Sequence, residues 1–401
     1  MKKHILFSSG SLKMGGLERV LVEYLNKIDK EKYKITLFIL SDFGELDVFR
    51  KDIPEYIDVR FLKPEKLVTK TAYLKHNKKN LFNKMIYNLY MSLERHVLKK
   101  NFVKNLKEIE EVDVLIDFDS GLTKLSKETE NLKKIVWIHN SLPNLLKKEK
   151  KIKKRGIRLN NYDKIITICK EMKEETERIY PYLKEKIEYI YNPFDFERIE
   201  KEAESTDELT SEEKKLLDDK YILSVSRIDR TQKDYPTLVK AYKLLKSKGI
   251  KQKLYIVGDG DFREELGRII KTENLENDIK LLGQKKNPYV WMKNSDLFVH
   301  SSRYEGLPTV LIEAMILGKI VVSSACPTGP REILEDGKSG LLFGVGDADE
   351  FAEKIFLILN DQNKRRELEE NIKIRVKDFT SDKSLEKLDL VIRELGVRKN
   401  E

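Results

Sequence analysis

Short apolar runs alternate with amphipathic helical patterns along most of the chain. HILFSSG is an apolar run that ends in small residues. The pattern after it places five apolar residues on one face of a helix: Leu17, Val20, Leu21, Tyr24 and Leu25. YKITLFIL then predicts a second strand. A strand, a glycine turn, a helix and another strand are the opening of a doubly wound α/β domain.

The same alternation continues in two series. In the first half, VDVLIDF, KKIVWIHN and YDKIITIC predict strands, and a strand closed by Pro193 is expected in YIYNPFDFERI. The second half has six such runs, most of them followed by a helical pattern: YILSVSRI, KLYIVGDG, IKLLGQ, LFVHSS, IVVSSA and GLLF. The pattern therefore predicts two successive Rossmann-like domains in an α/β protein.

An acidic segment that is poor in apolar residues, from Glu202 to Lys220, separates the two series. We expect an N-terminal domain at residues 1–202 and a C-terminal domain at residues 203–379. One more amphipathic helix, at about 380–401, ends the chain. Ligands of such sheets bind outside the carboxyl ends of the strands. If the two domains face each other, loops from both would line the cleft between them.

The Lys-rich region from Lys63 to Lys107 contains a basic amphipathic helix. Its apolar residues recur at helical spacing beside four basic ones: Leu81, Met85, Leu89, Leu93 and Val97, flanked by Lys84, Arg95, Lys99 and Lys100. Two interpretations stay open. The helix packs on the sheet as an ordinary surface helix, or it attaches the protein to an anionic membrane surface.

Composition and charge narrow the class of protein. The chain has 401 residues, of which 40% are hydrophobic and 36% charged, enough for apolar cores under a heavily charged surface. Its net charge of +10 points to anionic partners such as nucleotide phosphates, anionic lipid or nucleic acid, or reflects only a Lys-rich proteome. The two cysteines, Cys169 and Cys326, are far apart, which fits a reducing cytosol. We expect no signal segment and no membrane-spanning helix, because no apolar run is long enough.

The stretch EGLPTVLIE places two carboxylates, Glu305 and Glu313, around the start of a helix. The helix is expected from about Thr309 to Leu317, since Pro308 suits a first helical turn and a glycine follows the end. Glu305 would then lie ahead of the helix and Glu313 in its second turn.

This arrangement would suit a nucleotide sugar. The N–H groups near Leu307 form an anion site for a diphosphate, and Gly306 lets the backbone approach a ligand closely. One acid would accept hydrogen bonds from sugar hydroxyls and the other from ribose hydroxyls. The alternative is a capping acid and an ordinary surface glutamate.

Other strand ends carry groups that fit the same ligand. Arg227 ends the strand YILSVSRI and Lys233 lies in the loop after it, where two cations could neutralise a diphosphate without a metal. Gly15 and Gly16 follow the first strand and would let the backbone approach a phosphate or sugar. His139 ends another strand and could hydrogen-bond a sugar hydroxyl. His300, on the strand before Glu305, is expected to be packed, without a partner of this kind.

The chain resembles the retaining glycosyltransferases of family 4, also called group 1, which have the GT-B fold of two Rossmann-like domains facing across a cleft. The similar pieces are MGGLERV, WIHN, YNPFDFERI, SVSRIDRTQKD, LYIVGDG, HSSRYEGLPTVLIEAMILGKIVVSS and PTGPREILEDGKSGLLF. They occur in family order and together span nearly the whole chain, and the block around Glu305 is the most specific of them.

The resemblance implies a role for each candidate. Glu305 would face the donor sugar with the backbone N–H groups of Gly306 and Leu307, and Glu313 would bind the ribose. Arg227 and Lys233 would hold the diphosphate. Gly16 would approach the phosphates from the first domain, and His139 would contact the transferred sugar. The first domain would take the acceptor, completed by the C-terminal helix, and the second the donor.

The sequence departs from the family pattern beside the two cations. Lys233 comes six positions after Arg227 where five is the commonest spacing, and Ser226 and Asp234 replace the usual glycines. These changes alter the shape of the loop but should leave both charges available.

The reaction implied by the resemblance is transfer of a hexosyl unit from a UDP- or GDP-sugar to a glycan or lipid-linked acceptor hydroxyl, in surface polysaccharide or lipid-linked glycan synthesis. No carboxylate can be assigned as a nucleophile behind the anomeric carbon, so front-face attack is expected, assisted by the leaving phosphate. Neither a metal nor another cofactor is expected. The two DxD-like strings, Asp117–Asp119 and Asp259–Asp261, are interpreted as incidental. The protein is expected in the cytoplasm, at the inner face of the cell membrane if the basic helix attaches there.

Three alternatives remain open. The chain could be an inverting transferase or a sugar-nucleotide epimerase of the same fold, and an epimerase should act with no acceptor present. It could instead be a non-catalytic basic module that binds membrane or nucleic acid, although the interleaved aromatic and basic pattern of an RNA-binding sheet is missing. That last alternative leaves Arg227, Glu305 and Glu313 unexplained.

Overall fold

The computed structural model describes residues 2–77, 80–125, 127–146 and 148–396. Contacts divide the chain into two compact units, and each is built around one parallel sheet. The first unit comprises Met1–Ile168, Lys173–Pro193 and Ser381–Glu401, and the second comprises Cys169–Met172 and Phe194–Thr380.

The sheet of the first unit has seven parallel strands in the order β3-β2-β1-β4-β5-β6-β7. Its strands are β1 (Lys3–Ser9), β2 (Tyr33–Ile39), β3 (Asp58–Phe61), β4 (Val114–Asp117), β5 (Lys133–Ile138), β6 (Lys164–Thr167) and β7 (Ile187–Tyr189). The chain order reverses between β1 and β4. A reversal of this kind opens a crevice at the carboxyl ends of the two strands.

The sheet of the second unit has six parallel strands in the order β10-β9-β8-β11-β12-β13. Its strands are β8 (Tyr221–Val225), β9 (Lys253–Val257), β10 (Ile279–Gly283), β11 (Leu297–His300), β12 (Val321–Ser324) and β13 (Leu341–Phe343). Here the order reverses between β8 and β11, so the loops after these two strands flank the second crevice.

Helices connect most of the strands and cover the sheets. The α-helices are α1 (Gly16–Lys27), α2 (Glu65–His76), α3 (Leu81–Glu108), α4 (Leu142–Leu146), α5 (Glu149–Leu159), α6 (Lys170–Ile179), α7 (Phe196–Glu204), α8 (Ser211–Leu216), α9 (Tyr235–Ser247), α10 (Arg263–Thr272), α11 (Tyr289–Asn294), α12 (Thr309–Ile316), α13 (Pro330–Ile333), α14 (Ala348–Asn360), α15 (Gln362–Arg375) and α16 (Ser381–Gly396). Short 3-10 helices lie at Gly44–Leu46, Val48–Asp52, Pro181–Lys186, Glu335–Gly337 and Val376–Phe379.

Each unit has its own aromatic core, because parallel strands that are covered on both faces carry apolar side chains throughout. In the first unit, Trp137 is fully buried, and its ring lies 5.5 Å from that of Phe118. In the second, Tyr221 stacks on Tyr255 with ring centroids 4.5 Å apart, and Trp291 packs edge-on against both. Both cysteines, Cys169 and Cys326, are buried thiols.

The structure differs from the strand prediction at two places. Strand β3 was not predicted, because DVRF is short and has no buried residue. The prediction that a strand ends at Pro193 is wrong, because β7 already ends at Tyr189. The Ile190 N–H bonds the Thr167 carbonyl once more, and the chain then leaves the sheet.

The predicted basic helix is present as α3, with 28 residues. Of the two interpretations left open, packing of the apolar stripe on the sheet is wrong, because Leu81 is 85% exposed and Leu89 is 67% exposed. The helix packs through its opposite side, where Phe102 is fully buried. No helix within the described residues combines the length and the apolar character that a membrane span requires.

Candidate active site

The loop between β11 and α12 carries Glu305 into the interior of the second unit. The four residues of β11 are buried, and α12 begins at Thr309, directly after Pro308. The helix ends near Gly318, whose φ of +72° is the left-handed conformation that glycine supplies at helix ends. The predicted strand, loop and helix are therefore all present, and they place Glu305 ahead of the helix.

Four side chains donate hydrogen bonds to the Glu305 carboxylate. Oε1 accepts from His300 Nε2 at 2.9 Å, from Ser302 Oγ at 2.6 Å and from the Lys233 ammonium. Oε2 accepts from Gln232 Nε2 at 2.9 Å. A carboxylate offers about four lone-pair sites, two on each oxygen. Oε1 is therefore saturated, and only Oε2 can accept another donor.

The Glu305 carboxylate is held as an anion although it is only 6% exposed. Burial alone would raise its pKa. The positive charge of Lys233 and the hydrogen bonds from His300 and Lys233 outweigh that effect, so the pKa lies well below its usual range. Lys233 is buried to a similar degree, which makes the two a buried ion pair.

His300 belongs to this cluster, and the expectation that it has no partner there is wrong. It is fully buried, as predicted, and its Nε2 lies against both Glu305 and Ser302. Burial, and then the charge of Lys233, lower its pKa, so the ring is neutral at pH 7 and donates Nε2–H to the carboxylate. The signal in the sequence was one histidine at the end of an otherwise apolar strand.

The loop after β8 brings the two cations to the same crevice. Asp229 closes this loop by accepting hydrogen bonds from the N–H groups of Thr231 and Gln232. The backbone of Lys233 pairs with that of Ser302, which sets the lysine beside Glu305. The six-residue spacing of the cations is thus accommodated by an internally bonded turn.

Arg227 and Lys233 differ in their surroundings. The Arg227 side chain is 69% exposed and reaches Asp229 and Gln232, each at 3.4 Å. Because Gln232 also donates to Glu305, the four residues form one hydrogen-bonded chain from Arg227 through Gln232 and Glu305 to Lys233. Sequence reasoning did not identify Gln232, since a loop glutamine carries no signal of its own.

Two glycines hold the loops of this crevice in place. A Cβ atom on Gly258, at φ +143°, would lie 2.0 Å from the carbonyl oxygen of Ser226. A Cβ atom on Gly329, at φ +92°, would lie 2.5 Å from the carbonyl oxygen of Gly306. Each glycine therefore allows a backbone contact that any other residue would block.

Glu313 lies in the second turn of α12, where it was predicted. It is 7% exposed, and the Tyr289 hydroxyl donates to its Oε1 at 3.4 Å.

Three other predicted residues, Gly15, Gly16 and His139, belong to the first unit. Gly15 is extended at φ −174° and precedes α1, which begins at Gly16 with no side-chain cap. A Cβ atom on Gly15 would lie 2.3 Å from Glu18 Oε2, and Ser11 Oγ donates to Glu18 Oε1 at 3.2 Å. The glycines thus lie in the loop after β1, at the reversal point of the first sheet.

His139 follows the last residue of β5 and is half-buried. Its Nε2 donates to the Phe118 carbonyl oxygen at 2.7 Å. Burial lowers its pKa to about 4, so the ring is neutral at pH 7. A neutral ring with its proton on Nε2 carries a lone pair on Nδ1, which can accept a hydrogen bond from a hydroxyl.

In the first DxD-like string, Asp117–Asp119, the Asp117 carboxylate makes structural contacts. It accepts a hydrogen bond from the Tyr162 hydroxyl at 2.6 Å and from the Leu122 N–H. Across residues 2–77, 80–125, 127–146 and 148–396, no group of three His, Cys, Asp or Glu side chains could hold a metal ion.

Two family models match the sequence, Glycosyltransferase Family 4 over residues 14–198 and Glycosyl transferases group 1 over residues 205–375. An uncharacterized glycosyltransferase of Methanocaldococcus jannaschii is 34% identical over 219 residues, 53% of either protein. The N-acetylgalactosamine-N,N'-diacetylbacillosaminyl-diphospho-undecaprenol 4-alpha-N-acetylgalactosaminyltransferase of Campylobacter jejuni is 33% identical over 217 residues, 54% of this chain and 56% of that protein. The matched segments span about half the length of these curated relatives.

A solved structure is similar over nearly the whole chain. Anabaena HepE in complex with UDP and glucose has a TM-score of 0.75 at 19% identity, covering 98% of this chain and 100% of that one. At this identity the likeness concerns the fold alone.

Proposed function

Because the chain belongs to the group 1 glycosyltransferases and has their two-domain GT-B fold, we propose that it transfers a hexosyl unit from a nucleoside diphosphate sugar to an acceptor hydroxyl. In this proposal the anomeric configuration is retained and no metal is needed. The observation that carries it is the bonded chain of Arg227, Gln232, Glu305 and Lys233 at the reversal point of the second sheet.

The two cations would stabilise the diphosphate leaving group. An ammonium has three N–H donors, so the bond of Lys233 to Glu305 leaves two for phosphate oxygens. The exposed guanidinium of Arg227 can bind the same group in a bidentate way. The N–H groups of Gly306 and Leu307, ahead of α12, would add backbone donors. Charge that develops on the departing diphosphate would thus meet donors already in position.

The role of Glu305 becomes more specific than the sequence suggested. Only its Oε2 has accepting capacity left, so it would bind one hydroxyl of the donor sugar through that oxygen. Its larger effect would be to fix Lys233. Glu313 would bind the ribose, placed one to two turns further along α12.

The first unit would supply the acceptor side of the reaction, completed by α16. His139 would accept a hydrogen bond at Nδ1 from a hydroxyl of the transferred sugar, since its Nε2–H is engaged with Phe118. Gly15 and Gly16 would allow the loop after β1 to approach a phosphate or a sugar.

We propose a lipid-linked glycan or a surface polysaccharide as the acceptor. The name of the Campylobacter jejuni relative gives a diphospho-undecaprenol acceptor, and that of a Staphylococcus aureus relative, 29% identical over 180 residues, gives capsular polysaccharide biosynthesis. Such an acceptor would bring the protein to the inner face of the cell membrane as a peripheral protein.

Binding of nucleotide sugars tests the donor half of this proposal. We expect at least one member of a panel of UDP- and GDP-sugars to raise the melting temperature. In calorimetry, Arg227→Ala and Glu313→Ala should each weaken that binding about tenfold or more, because a charge-assisted contact is lost. Arg268→Ala, an exposed arginine of α10, is the matched control and should bind as the wild type does. A wild type that binds no nucleotide sugar would overturn the proposal.

A further inference from the structure

The α2–α3 hairpin, residues 65–108, has a formal charge nearly as large as the net charge of the whole chain. It contains eleven Lys and Arg against three Asp and Glu, a formal charge of +8, while the whole chain has +10. The remaining 357 residues together are therefore almost neutral. Residues 148–158 form a second basic segment, with seven Lys and Arg against one Glu, so charge alone does not distinguish the hairpin.

The same hairpin exposes a continuous apolar surface, which we call the outer face of α3. It consists of five residues that share one side of the helix: Leu81, Phe82, Met85, Leu89 and Leu93. Their exposed fractions run from 46% to 85%. The ridge from Leu81 to Leu93 follows i, i+4 spacing and is about 18 Å long. Exposed apolar residues usually occur singly, so a ridge of this kind indicates an interaction surface.

The opposite side of α3 is fixed to the first unit, so the outer face cannot turn inward. Glu94 forms an ion pair with Lys63 at 2.9 Å, and both side chains are largely buried. Asn101 donates to the Leu62 carbonyl at 2.7 Å, and Phe102 packs edge-on against Phe38. These contacts use one side of the helix and leave the apolar ridge pointing to solvent.

We propose that the outer face of α3 docks on an anionic lipid surface. Basic residues flank the ridge, with Lys84 and Arg95 on one side and Lys100 near its end. An apolar ridge bordered by Lys and Arg enters the boundary between headgroups and acyl chains, while the cations bind anionic headgroups. Charge complementarity favours this occupant over a second copy of the chain, since two hairpins of +8 would repel each other.

This inference does not depend on the proposed transfer reaction. Lipid binding is measured without any nucleotide sugar, and nucleotide-sugar binding is measured without lipid. Either result can therefore fail while the other stands.

Co-sedimentation with vesicles tests the proposal. We expect the wild type to bind vesicles of phosphatidylcholine and phosphatidylglycerol, to bind phosphatidylcholine alone far less, and to be released by salt. Leu89→Glu should weaken binding about tenfold, because it puts a negative charge at the centre of the ridge. Ile374→Glu is the matched control: Ile374 is 69% exposed on α15, against 67% for Leu89, and this variant should bind as the wild type does.

Several results would overturn the proposal. The proposal is wrong if the wild type stays in the supernatant with anionic vesicles. It is also wrong if Leu89→Glu binds these vesicles as the wild type does. A dimer in sedimentation velocity that Leu89→Glu dissociates, without lipid binding, would assign the face to a second copy. Binding of single-stranded RNA in place of vesicles would assign it to nucleic acid. Unchanged nucleotide-sugar binding by Leu89→Glu would show that this variant is folded.

Discussion

At the scale of single residues, the Glu305–Lys233 pair determines how the candidate site responds to change. Both side chains are buried, and removing one member of a buried ion pair leaves the other charge without compensation. The pair therefore couples the stability of the second unit to its chemistry. A variant here changes both quantities, and the two must be measured together.

We expect Glu305→Ala to lower the free energy of unfolding by about 3 kcal/mol, because Lys233 keeps its charge in a buried position. Turnover should fall by about 100-fold or more, since Lys233 is no longer held for the leaving group. Urea unfolding and a transfer assay measure the two effects. Glu367→Ala is a control, because its ion pair with Lys364 is partly exposed and should contribute less than about 1 kcal/mol. Near-normal turnover of Glu305→Ala would remove this residue from the site.

A double-mutant cycle with Lys233→Met and Glu305→Gln separates the pair from its neighbours. Because the two side chains contact each other, we expect a coupling energy of about 1–3 kcal/mol. Additive effects would mean that His300, Ser302 and Gln232 hold the carboxylate without the lysine.

At the scale of secondary-structure elements, the buried end of β4 makes the first unit sensitive to pH. Burial, and then the charge of Asp119, raise the pKa of Asp117 from its ordinary value of 3.8 to about 7. The folded state therefore keeps a proton that the unfolded chain loses above about pH 4. The contribution of this group to stability is greatest below that pH, falls as the pH rises to about 7, and is constant above.

We expect Asp117→Asn to remove this part of the pH dependence, because an amide does not titrate. Between pH 5 and pH 8, the wild type should lose about 3 kcal/mol of unfolding free energy relative to the variant. Urea unfolding of both proteins at the two pH values measures the difference. Parallel curves would show that Asp117 is ionised in the folded protein at both.

The secondary-structure elements also show which parts of the fold can be predicted from the sequence. Continuous apolar runs such as KLYIVGDG and LFVHSS identify buried parallel strands, because both faces of these strands must be apolar. DVRF at β3 lies at the edge of its sheet and carries no such run, so it could not be recognised. The helix α3 was recognised from its periodicity, but periodicity identifies an apolar side and cannot tell what covers it.

In the candidate site, too, the sequence reveals some residues and not others. Arg227, Lys233 and Glu305 could be selected as candidates because charged residues in loops that follow apolar strands stand out. Glu313 was selected from its place in the helix after Glu305. The direct contact between Lys233 and Glu305 was not foreseen, since it depends on the backbone pairing of Lys233 with Ser302 across 69 residues of sequence. His300 and Gln232 likewise acquire their roles only from tertiary contacts.

At the scale of the whole molecule, two groups of cations have been assigned a partner here, those of the α2–α3 hairpin and those of the candidate diphosphate site. The second of these bears on the need for a metal. Two cations beside a diphosphate can supply the charge that Mg²⁺ or Mn²⁺ supplies in other transferases. We expect a chelator such as EDTA to leave the transfer rate unchanged within about twofold, and added Mg²⁺ to have no larger effect. Loss of activity with EDTA that Mn²⁺ restores would contradict the prediction.

The saturated carboxylate oxygen of Glu305 also has a consequence for inhibitor design. Reagents that trap a glycosyl-enzyme intermediate, such as 2-deoxy-2-fluoro sugar nucleotides, need a carboxylate with a free lone pair behind the anomeric carbon. Glu305 Oε1 already has three donors, and its anionic charge is neutralised by Lys233. Oε2 accepts from Gln232, and its remaining lone pair would be occupied by the donor-sugar hydroxyl in the proposed complex. We therefore expect intact-protein mass spectrometry to find no covalent sugar on Glu305 after such treatment. Inhibitors of this protein would then have to compete for the two cations, as non-hydrolysable diphosphate mimics do.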